Sequence, residues 1–179
     1  MKIKAVSLLS IAFGLIAGFA GAAPEKPAGD PGYAVVDKIP MPGEGGWDYV
    51  NVDAAARRIY VSRSDRAVVI DVDSKKVLGE ISPTSGIHGI AEAPALDRGF
   101  TSNGRANTST IIDLKTLMPL GRVATGANPD SIRYSPSRKE VWTFNHTGKS
   151  VTVFGAQDGK TLATITLSGE LEEAVEDPA

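Results

Sequence analysis

From Trp47 onward, apolar and polar residues alternate in short runs, and the runs come in sets of four. Between Asp130 and Leu167 they read SIRYS, EVWTFN, SVTVFG and TLATITL, with the turn-rich stretches SPSRK, HTGK and AQDGK between them. Alternation of this kind sends every second side chain to one face, as a half-buried strand requires. Gly, Pro, Asn, Asp and Ser at the breaks supply the backbone bends. No helical 3.6-residue period is found in this part of the chain, so the pattern predicts an all-β protein.

The set of four recurs in register. One line begins WDYVNVDAAARRIYVSR at Trp47, a second HGIAEAPALDRGFTSN at His88 and a third DSIRYSPSRKEVWTFN at Asp130. Val50, Ile90 and Ile132 correspond, as do Tyr60, Phe100 and Trp142. So do Ile70, Ile112 and Phe154, then Leu78, Leu120 and Leu162, then Ile81, Val123 and Ile165, always at steps of 40 or 42 residues. Four strands repeated at this period are the signature of propeller blades. The expected fold is a β-propeller of about three four-stranded blades with a partial blade at each end, an incomplete ring. The blades fall at about 47–82, 87–124 and 129–167.

The partial blades come from the two ends of the pattern. Glu172 to Pro178 aligns with Asp130 to Pro136, as the start of a further blade over 172–179. YAVVDKIPMPG, from Tyr33, matches KKVLGEIS and KTLATITLSG and reads as the last strand of a unit. A blade buries its two faces against neighbours, so an arc of three leaves two faces open. Three readings follow: a truncated product, two chains self-associating through open blade faces, or an open solenoid-like arc.

At the second strand of each unit stand YVSR, FTSN and WTFN, and around them SGIHGIAEAP and TGANPDSIRYSP. These resemble the YVTN repeat of a bacterial β-propeller family that includes the YncE-like exported proteins. The resemblance covers the chain from about Tyr33 onward. It implies a propeller exported to the periplasm or cell surface, without a shared catalytic motif and with nucleic-acid binding suggested for some members. Complete members have seven blades, more than twice the number here.

The N-terminus supports export. Lys2 and Lys4 precede an uncharged apolar run, Ala5 to Ala20, and Ala20-Gly21-Ala22 offers a small-x-small cleavage pattern, so residues 1–22 read as a signal peptide. The run is short for a membrane span, which leaves no stable anchor after cleavage. PEKPAGDPG makes residues 23–32 a flexible linker before the propeller at 33–179. The expected location is the periplasm or the medium. There is no Cys, hence no disulfide, lipid-anchored cysteine or thiol nucleophile. Loss of Lys2 and Lys4 takes the formal net charge from −2 to −4. That balance gives no electrostatic reason to bind nucleic acid or anionic lipid.

Topology then selects the candidate surface. In a meander, loops from a fourth strand to the next first strand share a rim with the turns between second and third strands. That rim collects Trp47, Asp48, His88, Asn103, Arg105, Asp130, Asn145 and His146. Asp48, His88 and Asp130 are equivalent by spacing; as a ring at the channel mouth they can bind a cation, or they can bond backbone groups at strand starts. Asn103 and Asn145 fit tight turns, and His146 in NHTGK is expected to be solvent-exposed. Arg105 can receive an anion. Trp47, after GEGG, is either a rim aromatic for a planar ligand or a packing residue. No cofactor is predicted, and no G-x-S-x-G elbow, Walker loop, haem motif or calcium loop is present. The reading is a non-catalytic binding or scaffold module for an unknown protein or small-molecule ligand; the alternative is part of a propeller enzyme with a metal or redox cofactor at the channel mouth.

Overall fold

The computed structural model describes residues 32–41 and 43–177. The expected signal peptide, all but the last residue of the expected linker, and Pro178 lie outside the described residues. The chain divides into two units at Lys38. In the first, Gly32–Lys38 forms no strand, and Tyr33, Val35 and Val36 are exposed.

The second unit, from Ile39, is a succession of hairpins. Among the described residues its strands are β1 (Val50–Asp53), β2 (Arg58–Arg63), β3 (Arg66–Asp71) and β4 (Val77–Ile81), then β5 (Ile87–Ala93), β6 (Arg98–Asn103), β7 (Thr108–Asp113) and β8 (Pro119–Ala124). β9 (Pro129–Ser135), β10 (Glu140–Asn145), β11 (Ser150–Gly155) and β12 (Thr161–Thr166) complete the set. They form three four-stranded antiparallel meanders, β1 to β4, β5 to β8 and β9 to β12, each one blade.

The repeat is written in the backbone as well as in the side chains. Register slips between third and fourth strands at Val69/Ile70, Ile111/Ile112 and Val153/Phe154. Left-handed residues recur at Arg57, Asp97 and Lys139, and again at Lys75, Leu117 and Gly159. The amides of Val72, Leu114 and Ala156 donate to the carbonyls of Arg57, Asp97 and Lys139 at 2.9, 3.0 and 3.0 Å. Identical bulges and turns give each blade the same twist, which lets successive blades stack face to face.

Two hydrophobic cores lie between blades. Tyr60, Ala67, Val69 and Ile81 of the first blade meet Ile87, Ile90, Ile112 and Leu114 of the second. Ala91, Phe100, Ile111 and Val123 of the second meet Ile132, Val141 and Phe154 of the third. Tyr60, Phe100 and Trp142 hold one register position, paired across to Val69, Ile111 and Val153. Tyr60 and Phe100 are covered by the blade that follows. Trp142 points to the side where no further blade is formed among the described residues, and it is only partly buried. The same logic exposes Val50 while burying its equivalents Ile90 and Ile132.

The ends of the pattern depart from the expected partial strands. On the outer face of the first blade, Ile39 and Met41 pack over Val61, Val68 and Ile70. Arg63 fixes this segment through its guanidinium, donating to the carbonyls of Gly45 (3.1 Å) and Gly43 (2.8 Å). The segment is thus a coil that shields the face, not a hydrogen-bonded strand: Gly and Pro in PMPGEGG break the extended run. At the other end Arg133 donates to the Ala174 carbonyl at 2.9 Å. This repeats the Asn51 to Ile90 carbonyl bond (2.7 Å) of the first blade pair. Glu172 to Asp177 therefore lies in the place of a following first strand, held by side chains and without strand pairing.

Candidate functional site

The rim expected from topology forms. Gly104 N–H bonds the Gly86 carbonyl at 2.7 Å, His146 N–H the Asn128 carbonyl at 2.8 Å, and Thr84 N–H the Asp65 carbonyl at 2.8 Å. The first two tie a turn between second and third strands to the connection entering the same blade, and the third ties such a turn to the connection entering the next blade. Asp48, just before β1, His88 and Asp130, the second residues of β5 and β9, and Glu172 in the following segment are thereby gathered round one mouth.

Asp48 and His88 are in direct contact, Nδ1 to Oδ2 at 2.6 Å. Gly104 makes room for the imidazole. A Cβ there would stand 2.5 Å from His88 Nε2 and 2.3 Å from Asn128 Oδ1. We expect Gly104→Ala to expel the ring, break the Asp48 contact and cost about 1–2 kcal/mol by overpacking. Chemical denaturation together with the His88 imidazole NMR shifts checks both parts.

Asp130 is half-buried, and burial is the main cause of its raised pKa. Asp48 and Glu172 push in the same direction, whereas His88 and His146 oppose them. Tyr49 adjoins it; its phenol is raised by burial first and by Asp130, Glu173 and Asp48 next. A phenol that keeps its proton is a donor for the Asp130 carboxylate.

His146 departs from the sequence expectation. It is partly buried under the C-terminal segment, with Nδ1 2.9 Å from the Leu171 carbonyl oxygen and 3.1 Å from Glu172 Oε1. Nε2 lies 3.6 Å from Glu170 Oε2. Asp130, His146 and Glu172 can offer one ligand atom each, all within 4.8 Å of one another. Glu172 is absent from the sequence candidates, although its spacing of 42 from Asp130 already carried the signal.

Asn103 and Asn145 leave the candidate surface. Both are buried, for a reason other than turn formation. The Asn103 amide donates to Thr110 Oγ1 (2.9 Å) while its carbonyl accepts from Thr101 Oγ1 (2.9 Å). Asn145 donates to Ser150 Oγ (3.1 Å) and Thr152 Oγ1 (3.0 Å). These networks lock second and third strands together and satisfy groups that burial would otherwise penalise. In the first blade the corresponding places hold Val61, Val68 and Arg63, which face the Ile39–Met41 cover. Arg105 is exposed, and Trp47 is 79% exposed.

Away from the mouth, the open face of the third blade carries a cavity of about 350 Å³ lined by Arg133, Arg138, Trp142, Phe144, Val175 and Glu176. Trp142 stands at the register position where a neighbouring blade covers Tyr60 and Phe100.

No protein-family model and no curated protein sequence matches the chain. Solved structures do match. A chain described as Kuenenia stuttgartiensis hydrazine synthase aligns with TM-score 0.67 and 15% identity over 78% of this chain and 40% of that one. The structure of U3-55K aligns with TM-score 0.65 and 12% identity over 73% and 42%, and the RRP9 WD40 repeats with TM-score 0.63 and 12% identity over 70% and 40%. The chain spans about two-fifths of the length of each of these proteins. At these identities the likeness establishes the architecture: the chain has the β-propeller fold.

Proposed function

We propose that the chain is an exported bacterial propeller-repeat protein of the YVTN, YncE-like kind that binds a ligand at the channel mouth without transforming it. The observation that carries this reading is the convergence of Asp48, His88, Asp130, His146 and Glu172, drawn from successive units, on a single rim built over a stiff scaffold. Loops and strand starts on such scaffolds are where recognition groups gather. The sequence contains no Cys and no G-x-S-x-G nucleophile elbow.

A thermal-shift screen of the full chain against divalent cations, sugars, nucleotides and short peptides tests the reading. We expect a stabilising ligand whose shift is abolished by Asp130→Asn, weakened by Trp47→Ala, and which is recovered chemically unchanged by mass spectrometry. A shift indifferent to both variants, or a chemically altered ligand, overturns it. Export is tested separately by fractionation: the secreted form should begin at Ala23, and full-length protein confined to the cytosol refutes it.

A further inference from the structure

We infer that Asp130, His146 and Glu172 form a binding site for a divalent transition-metal ion of the zinc and cobalt class, which pins the segment from Glu170 to Asp177 against the third blade. The inference deepens the mouth reading and rests on it.

Three independent observations meet here. The first is geometric: one imidazole nitrogen and two carboxylate oxygens lie within 4.8 Å of one another, close enough for small rotations to bring them round one ion. Second, the mouth carries an unbalanced charge. Asp48, Asp130, Glu170 and Glu172 converge there, and among the described residues no lysine or arginine forms an ion pair with any of them. The guanidinium of Arg133 is engaged by Glu173. Asp130 is half-buried while Glu170 and Glu172 are exposed; carboxylates crowded without a fixed counter-charge are stabilised by a cation, and two imidazoles supply none. Third, Glu172 reaches the site only because residues 172–177 occupy the place of a following first strand. The site is thus assembled from two successive repeats, as Asp48 with His88 is one step earlier.

Donor chemistry selects the ion. A mixed imidazole and carboxylate set favours zinc, cobalt, nickel or manganese over calcium or magnesium, which prefer all-oxygen shells. Three protein ligands leave at least one position of a tetrahedral ion for water or an anionic ligand.

The test is a cobalt(II) titration of the full chain, followed by visible absorption and equilibrium dialysis. We expect one equivalent bound with a d–d band, and at least a tenfold loss of affinity in His146→Ala and in Glu172→Gln. Lys115→Ala, at an exposed residue in the turn after β7 and outside the mouth, should bind within threefold of the parent. Circular dichroism confirms that each variant is folded, and where His146→Ala is not, His146→Gln replaces it. Sub-stoichiometric cobalt in the parent chain, equal affinity in the trio variants, or a loss in Lys115→Ala as large as in His146→Ala each overturns the assignment. Absent metal binding alongside a ligand shift that still depends on Asp130 removes the metal and leaves the binding reading standing.

Discussion

Phe100→Ala is expected to destabilise the protein by about 3–5 kcal/mol. Phe100 is fully buried between the second and third blades. Its ring lies 5.8 Å from that of Phe154 in an edge arrangement and 6.5 Å from Tyr134 in a stacked one. Truncation therefore removes transfer energy, leaves a cavity that β-sheet faces cannot easily collapse, and breaks two aromatic contacts. Against a total stability of roughly 5–15 kcal/mol the variant sits near the unfolding threshold. Urea denaturation should show a lower midpoint at unchanged slope. Trp142→Ala provides the internal comparison, because it removes a larger ring from the same register position. With its face uncovered, it should cost about 1–2 kcal/mol. A Trp142→Ala loss as large as that of Phe100→Ala, with a midpoint that rises with protein concentration, would mean that another chain covers this face in solution.

The same pair of residues shows what was legible in the sequence. A side chain's place within a blade repeats with the chain, so Tyr60, Phe100 and Trp142 could be aligned without coordinates. Its burial depends on whether another blade follows, and that is a property of the neighbour. Hence Ile81 and Val123 are buried and Ile165 is 40% exposed, although the three are equivalent by spacing. Leu78, Leu120 and Leu162 align equally well and are all exposed, near the start of each fourth strand, whereas Ile81 and Val123 further along the same strands reach the core. The coil over the first blade was illegible for another reason. Residues 39–41 have a strand's alternation, but their backbone partner is missing, and only side-chain packing decides where such a segment lies.

The candidate site was half legible. Periodicity located Asp48, His88 and Asp130 at one mouth, since equivalent positions in successive stacked blades share a rim. It misjudged Asn103 and Asn145, because an Asn before a tight turn looks the same whether it caps the turn or reaches back into the sheet. The buried choice depended on Thr101, Thr110, Ser150 and Thr152, hydroxyls whose alternation faces the same way. His146 was misread since the segment covering it comes from 25 residues further along the chain, and a local window does not contain that contact.

The second large effect concerns Glu92, which none of the sequence motifs singles out. It stands in β5 at the place that Val52 and Tyr134 hold in the other blades. Tyr134 there packs on Phe100, whereas Glu92 sits by Tyr60, so an aromatic pair is replaced by a carboxyl and a phenol. Glu92 Oε1 and the Tyr60 hydroxyl are both buried without a hydrogen-bond partner. Burial pushes the Glu92 pKa up to about 7 from an ordinary value of 4.5, partly opposed by the backbone, by Asn51 and by Arg133, while Asp53 adds to the rise. The folded state thus holds a proton that the unfolded chain gives up. Stability from this group is fully present below about pH 4.5 and is lost as pH rises through about 7, a change of about 2–3 kcal/mol. Asp71 and Asp113, held low by hydrogen bonds from Ser74 and Thr116, work in the opposite sense, at pH values below this window. Asp130 is raised and contributes a slope of the same sign as Glu92. Glu92→Gln isolates the effect: it should match the parent near pH 4, exceed it above pH 7, and flatten the midpoint against pH between them. A parent chain that gains stability from pH 5 to pH 8, or a Glu92→Gln profile parallel to it, would mean that the carboxyl is ionised and solvated at the blade interface. The packing of Tyr60 against the second blade would then have to be looser than that of Phe100 against the third.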